Sequence, residues 1–341
     1  NPDTTAPTKA NSFKTKIYTG NGSSRSITDI GLKPDFVWIK KRGNDTKAHR
    51  LFDSVRGPNN VIYSNLTNAA ATPTDELTAF IDGGFSLGTA SAVNDGASDT
   101  YVAWNWKGLD HDRNLAAINN NGSITSKVSA NPQAGFSIVN WSATTTGSDL
   151  IGHGLSAKPQ IIIMKNVSSA STNWFVFSDI FDGSYDFLYL NTTAAKANSS
   201  RNVPTATVFD QGNLGGVSAG NNCIAYCFHS VTDYSSIGTY TGNGSTTGPS
   251  VTVGFRPSWV LIKKSSGTGG WYIFDAVRSG STTFFPKILY PNVSNVEYDT
   301  TGTAFDGQGI TTTATTFEVD FSSAWTDLNA SGTTYLYMAF K

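Results

Sequence analysis

Gly31-Leu-Lys-Pro-Asp-Phe-Val-Trp-Ile-Lys-Lys41 returns near the end of the chain as Gly254-Phe-Arg-Pro-Ser-Trp-Val-Leu-Ile-Lys-Lys264. A more diverged form lies between them, Gly154-Leu-Ser-Ala-Lys-Pro-Gln-Ile-Ile-Ile-Met-Lys165. Each is a short run of β-branched and aromatic residues launched by a proline, which biases the residue before it toward extended or turn geometry. Matching blocks flank these runs. Upstream, Ile17-Tyr-Thr-Gly-Asn-Gly-Ser23 recurs as Thr239-Tyr-Thr-Gly-Asn-Gly-Ser245, while Phe136-Ser-Ile-Val-Asn-Trp141 takes that place in the middle. Downstream, Leu51-Phe-Asp-Ser-Val-Arg-Gly57 matches Ile273-Phe-Asp-Ala-Val-Arg-Ser279, with Trp174-Phe-Val-Phe-Ser-Asp179 in the middle. Each unit closes on a similar strand: Tyr101-Val-Ala-Trp104, Cys223-Ile-Ala-Tyr226 and Tyr337-Met-Ala-Phe340. Four blocks in one order, three times over, define an internal repeat.

The repeat marks are Pro34, Pro159 and Pro257, with Asp53, Asp179 and Asp275 lying 19, 20 and 18 residues beyond them. Arg56 and Arg278 follow the first and third aspartates at i+3, and the middle unit lacks that arginine. Continuous apolar runs of this length suit strands covered on both faces, and Thr-Gly-Asn-Gly-Ser reads as a tight turn. Helical periodicity is nearly absent; only Thr72 to Phe80 and the Ala-rich Ala194 to Asn198 hold room for a turn or two. The reading is all-β, three tandem related β-sandwich modules of jelly-roll-like type. Their expected layout is an extended arm at 1–12, module one at 13–108, a turn-rich linker at 109–132, module two at 133–231 and module three at 235–341. Modules two and three are too close in sequence for a floppy joint, so they are expected to pack end to end.

Composition sets limits on function. The 341 residues carry 24 Lys and Arg against 25 Asp and Glu, a formal charge of -1. That balance gives no electrostatic footprint for nucleic acid or an anionic membrane surface. No apolar run approaches the roughly 18 residues needed to span a bilayer. Ser, Thr and Asn together number 108, so the surface is hydroxyl- and amide-rich, as in many secreted or virion β-proteins. The opening Asn1-Pro-Asp-Thr-Thr-Ala-Pro7 has neither an initiator Met nor a signal pattern, and a processed or partial product is expected.

The chemistry-bearing residues form no recognisable constellation. Cys223 and Cys227 would lie about 13 Å apart on one strand face, too far for a disulfide; they read as buried small hydrophobes. His49, His111, His153 and His229 occur singly, without metal-ligand spacing. Asp53 with Arg56, and Asp275 with Arg278, read as ion pairs pinning a corner. Asp95-Gly-Ala-Ser-Asp99 is oxygen-rich but lacks the alternation of a calcium loop. Asp82, Asp95, Asp99 and Asp306 are the acids near loops, and glycoside cleavage would need two of them paired across a groove. No catalytic residue, cofactor or metal is assigned. Trp106, Trp141 and Trp325 sit where strands meet loops, and an exposed aromatic beside Asn and Asp is the usual physics of sugar contact.

The blocks Gly122-Ser-Ile-Thr-Ser-Lys-Val-Ser-Ala-Asn131, Ala134-Gly-Phe-Ser-Ile-Val139, Gly152-His-Gly-Leu155 and Lys158-Pro-Gln-Ile-Ile-Ile162 resemble a repeat of structural proteins from tailed bacteriophages, many of them marine. So do Tyr240-Thr-Gly-Asn-Gly-Ser245, Gly254-Phe-Arg-Pro257, Ile262-Lys-Lys264, Trp271-Tyr-Ile-Phe-Asp275 and Tyr337-Met-Ala-Phe340. The resemblance covers nearly the whole chain after residue 12 and brings no catalytic residues with it. It implies a non-enzymatic virion component, extracellular on the particle, of tail-fibre or capsid-appendage type and involved in host-surface attachment. Its expected partners are other virion proteins, itself as a homo-oligomer with a trimer first, and host surface polysaccharide, without nucleic acid or membrane insertion. A carbohydrate-binding module and a polysaccharide-degrading enzyme are the competing expectations.

Overall fold

The computed structural model describes residues 11–109, 116–144, 149–212, 214–322 and 325–341. Apart from residues 11 and 12, the expected N-terminal arm lies outside them, as does His111. The described chain is all-β, with three helices of a single turn, α1 (Ser91–Asn94), α2 (Ala276–Ser279) and α3 (Thr326–Asn329). The first third forms β1 (Phe13–Thr19), β2 (Arg25–Ile27), β3 (Phe36–Lys41), β4 (Arg50–Asp53), β5 (Leu77–Ile81), β6 (Gly84–Leu87) and β7 (Thr100–Trp106). Next come β8 (Ala117–Asn119), β9 (Ser126–Asn131), β10 (Phe136–Ser142), β11 (Leu150–Gly152), β12 (Ile161–Asn166), β13 (Phe175–Ser178), β14 (Asp186–Tyr189), β15 (Ala197–Asn198), β16 (Val208–Asp210) and β17 (Asn222–Phe228). The last third holds β18 (Ser235–Thr241), β19 (Ser250–Thr252), β20 (Trp259–Lys264), β21 (Trp271–Asp275), β22 (Phe284–Phe285), β23 (Lys287–Ile288), β24 (Tyr298–Asp299), β25 (Gly309–Thr312), β26 (Thr316–Asp320) and β27 (Thr334–Phe340).

One strand order recurs. Antiparallel β1-β7-β3-β4 and β18-β27-β20-β21 are four-stranded sheets, and β10-β17-β12-β13 stands in the same order inside an eight-stranded sheet. The three launching prolines are buried, each two residues before its central strand β3, β12 or β20. Those central strands are covered on both faces, as their unbroken apolar runs require.

Alternation along the central strands sends side chains to two different cores. Val37 and Ile39 face a core beneath the small sheet β2-β6-β5, with Phe52, Leu77, Phe85 and Tyr101. Ile162 and Met164 face the pair β11-β16 through Ile151 and Phe209, and Val260 and Ile262 face β19-β26-β25-β22 through Phe317 and Val319. The opposite faces all meet. Phe36 and Trp38, Ile161 and Ile163, and Trp259 and Leu261 belong to one shared core with Trp104, Trp106, Phe136, Tyr226, Phe228 and Phe340. The expected end-to-end packing is therefore replaced by convergence: all three repeats place a sheet face on a common centre. Apolar faces on both sides of each central strand make this the better burial. Each large side chain fully removed from water contributes roughly 1.5–3 kcal/mol.

Three further expectations change. Residues 117–131 were expected inside a linker, but β9 pairs with β10 from Asn131 to Ser126, and β8 pairs with β9. The segment looks polar because it extends an edge, where β8 is mostly exposed. The two candidate helical windows are strands or loops: Leu77–Ile81 is β5 and Ala197–Asn198 is β15. Finally, the third closing strand registers two residues earlier than its sequence match. Trp106, Phe228 and Phe340 stand opposite Phe36, Ile161 and Trp259, so Tyr335-Leu-Tyr-Met338 is the equivalent of Tyr101–Trp104.

Candidate functional site

The Asp–Arg corners close the third strand of their repeats. Asp53 Oδ1 accepts the Arg56 backbone N–H at 2.9 Å and Oδ2 accepts Arg56 Nε–H at 2.6 Å. Asp275 receives the same two donors from Arg278, the backbone one at 2.8 Å. Each carboxylate also takes a donor from the next repeat: Tyr226 Oη–H reaches Asp53 Oδ2 at 2.9 Å, and Trp104 Nε1–H reaches Asp275 Oδ2 at 3.1 Å. Both aspartates are fully buried, so neither is placed to meet a substrate. The middle repeat differs. Register puts Ser178, not Asp179, opposite Ile161, in the place that Asp53 and Asp275 hold opposite Phe36 and Trp259. Asp179 lies one residue beyond and pairs with the half-exposed Lys158 at 2.5 Å. The closing-strand residue equivalent to Trp104 and Tyr226 is Met338, so where the carboxylate is lost its donor is lost too.

A second cyclic set lies further along the same strands. His49, Trp174 and Trp271 occupy equivalent positions, each bonding a main-chain carbonyl of the preceding repeat in the cycle. Trp174 Nε1 donates to Tyr63 O at 2.8 Å, Trp271 Nε1 to Tyr189 O at 2.9 Å, and His49 Nε2 lies 2.9 Å from Tyr290 O. Trp38 Nε1 donates to His49 Nδ1, so Nε2 carries the proton and the ring is neutral. Burial holds this imidazole well below the usual histidine range.

Sequence reasoning passed over three lysines in this set. Lys40, Lys165 and Lys263, each six residues after its proline, are fully buried. Lys165 donates to Thr67 O at 2.8 Å and Lys263 to Gly269 O at 2.9 Å, while Lys40 donates to Lys41 O at 2.6 Å. Desolvation lowers each ammonium to about 8. The signal was present as a lysine at one repeat position in every unit.

The oxygen-rich Asp95–Asp99 loop is filled from within. Lys41 Nζ lies 2.6 Å from Asp45, 3.1 Å from Asp95 and 3.2 Å from Asp99, supplying the positive charge that a cation would. No group of three or more metal-ligating side chains free to hold an ion occurs among the described residues. Of the remaining loop acids, Asp82 is almost fully exposed beside Lys33, and Asp306 accepts its own neighbour's Gly307 N–H.

The three tryptophans expected to contact glycan separate. Trp106 lies in the shared core against Phe13, Phe36 and Trp259, and Trp141 is buried with its Nε1 on Gln211 Oε1 at 2.6 Å. Neither ring can stack on a sugar; β7 and β10 are interior strands of their sheets, which the apparent loop junctions hid. Trp325 is half-buried at the start of α3. Tyr298 lies 5.9 Å from it, Phe305 5.2 Å and Phe321 5.3 Å, centroid to centroid, and Trp325 Nε1 has no partner. Phe321 is buried, while Trp325, Tyr298 and Phe305 are partly exposed, so of the three tryptophans only Trp325 is placed for ligand contact.

Fold and site together define an all-β repeat protein whose shared polar groups join one sheet to the next. The chain belongs to the family described as a domain of unknown function, DUF7483, which matches residues 8–341. No curated protein and no solved structure matches it.

Proposed function

We propose that this chain is a non-enzymatic structural component of a bacteriophage virion, extracellular on the particle and of tail-fibre or capsid-appendage type, built from three β-sandwich modules closed around one centre. The observation that carries the reading is the use made of the repeated polar residues. Asp53, Asp275, Trp174, Trp271 and His49 hold one repeat to another, and all five are buried. Conserving a mark across repeats for packing is what a scaffold needs, and a neutral surface rich in hydroxyl and amide groups suits a particle in salt, where surface ion pairs are screened. Other virion proteins are its partners. Because three sheets already close on each other within one chain, self-association, if a trimer forms, adds to a centre that one chain completes. Mass spectrometry of purified particles, with antibody labelling by electron microscopy, tests the reading: the protein is expected at a fixed place on the particle, and its absence from washed virions would overturn it.

The Trp325 cluster supports glycan recognition as an accompanying role. A partly exposed ring grouped with Tyr298 and Phe305 offers a sugar an apolar stacking face, while its Nε1 is turned inward. A glycan array should show binding that Trp325→Ala removes without lowering the melting temperature of the shared core; binding unchanged in that variant would refute the site.

A further inference from the structure

The chain contains three Asn-Gly dipeptides, Asn21-Gly22, Asn121-Gly122 and Asn243-Gly244. An Asn-Gly bond is the sequence most open to spontaneous deamidation, because glycine leaves the following backbone nitrogen free of side-chain hindrance. All three asparagines are exposed, so sequence and exposure alone rank them equally.

Hydrogen bonding does not. Gly22 N–H, the nucleophile needed, donates to Asp95 O at 2.9 Å, Asn21 Oδ1 accepts Ser23 N–H at 3.0 Å, and Asn21 N–H is held by Asn94 Oδ1 at 3.0 Å. The third repeat uses the same clamp. Gly244 N–H donates to Asn329 O at 2.9 Å, and Asn243 N–H to Asn329 Oδ1 at 2.9 Å. The Asn243 carboxamide accepts from Asn329 Nδ2 at 2.9 Å and donates to Thr247 O at 3.0 Å. At the tip between β8 and β9 the arrangement differs. Asn121 N–H donates to Asn119 Oδ1 at 2.9 Å, but the Asn121 carboxamide and Gly122 N–H make no hydrogen bond among the described residues.

We infer that Asn121 is a self-modification site, at which the chain deamidates while its two sister Asn-Gly turns stay intact. Gly122 nitrogen gives up its proton to solvent base and attacks Asn121 Cγ. The new C–N bond closes a succinimide as the carboxamide C–N bond breaks, and the leaving nitrogen departs as ammonia. Water then opens the ring at either carbonyl, giving aspartate or isoaspartate. The product places a negative charge, and in the isoaspartate an extra backbone methylene, in the turn joining the outermost strand β8 to β9. That turn is tightly seated: a Cβ on Gly122 would lie 1.9 Å from Leu150 O, so a lengthened backbone has to leave it. The reaction therefore marks age on the free edge of the eight-stranded sheet.

The test incubates the intact chain in mildly alkaline buffer and follows peptides by mass spectrometry, with enzymatic labelling of isoaspartate. Asn121 is expected to convert at least about tenfold faster than Asn21 or Asn243, since the reacting groups at those two sites must first break two and at least three hydrogen bonds, respectively. Asn329→Ala removes the side-chain half of the clamp, the bonds to Asn243 N–H and Oδ1, while Gly244 N–H keeps the residue-329 carbonyl; conversion at Asn243 should rise but stay below the Asn121 rate, leaving Asn21 slow. Equal rates at all three sites in the folded chain would overturn the inference, as would an Asn121 that stays intact while a denatured sample converts all three.

Discussion

At the residue scale, the polar groups of this chain act across seams between repeats. Asp53 and Asp275 keep an arginine from their own repeat and an aromatic donor from another, and Arg278 adds a second acid, Glu297, at 3.0 Å. Burial raises the Glu297 carboxyl, yet Arg42 and Arg278 outweigh that and hold it below the usual range. Tyr226→Phe should cost about 1–3 kcal/mol in denaturant unfolding, the penalty of a lost bond to a buried charge. Asp53→Ala strands Arg56 and should cost about 3–5 kcal/mol. If Tyr226→Phe costs the same in an Asp53→Asn background as alone, the seam bond is not what it relieves. The buried lysines give a pH signature. Their folded values near 8 lie below the unfolded value of about 10.4. Between these the unfolded chain binds more protons, so stability should rise as pH climbs from about 8 toward 10. His49 and His153 are also lowered, His153 to about 4, so stability should fall as pH drops below about 6.5. Melting temperatures across pH check both limbs, and a decline from pH 8 to 9.5 would contradict the lysine part.

Among the elements, the Thr-Gly-Asn-Gly-Ser turns show how a short motif is read correctly for the wrong breadth of reason. Positive φ is needed at Gly22 and Gly244, at 64° and 70°. The first glycine of each motif serves a different end, a close approach. A Cβ on Gly20 would fall 2.1 Å from Asp95 O, and one on Gly242 2.3 Å from Ala330 O. Gly20→Ala and Gly242→Ala should therefore each lower the melting temperature by several degrees, whereas Gly43→Ala, with open space around it, should be near neutral. Thermal scans of the three variants decide this. The central strands were legible because proline and a dense apolar run coincide. Edge strand β8 and its neighbour β9 were not, since an exposed edge such as β8 needs few apolar residues and the turn-rich sequence looked like a linker. Ala-rich 194–198 failed for a related reason: helix propensity is a weak prior in a piece pinned by neighbours, here Lys196 N–H to Ser265 O at 2.8 Å. Trp106 and Trp141 could not be ranked against Trp325 because aromatic type does not reveal which side of a sheet is covered.

The whole molecule is organised by a centre that no repeat owns. Tandem sequence repeats suggested a row, but an apolar face left over on each sheet demands a partner, and three such faces satisfy one another. Phe13 from the first strand and Phe340 from the last stack at 4.9 Å, so the two ends of the described chain meet in that centre. Deleting Tyr337–Lys341 should abolish the folded state everywhere, which backbone amide exchange in β3 and β12 would report. Survival of native protection there would show that the repeats stand alone. Differential scanning calorimetry of the intact chain bears most directly on the shared centre. A single transition with calorimetric and van't Hoff enthalpies equal is expected; two or three separable transitions, each with the enthalpy of one repeat, would contradict it.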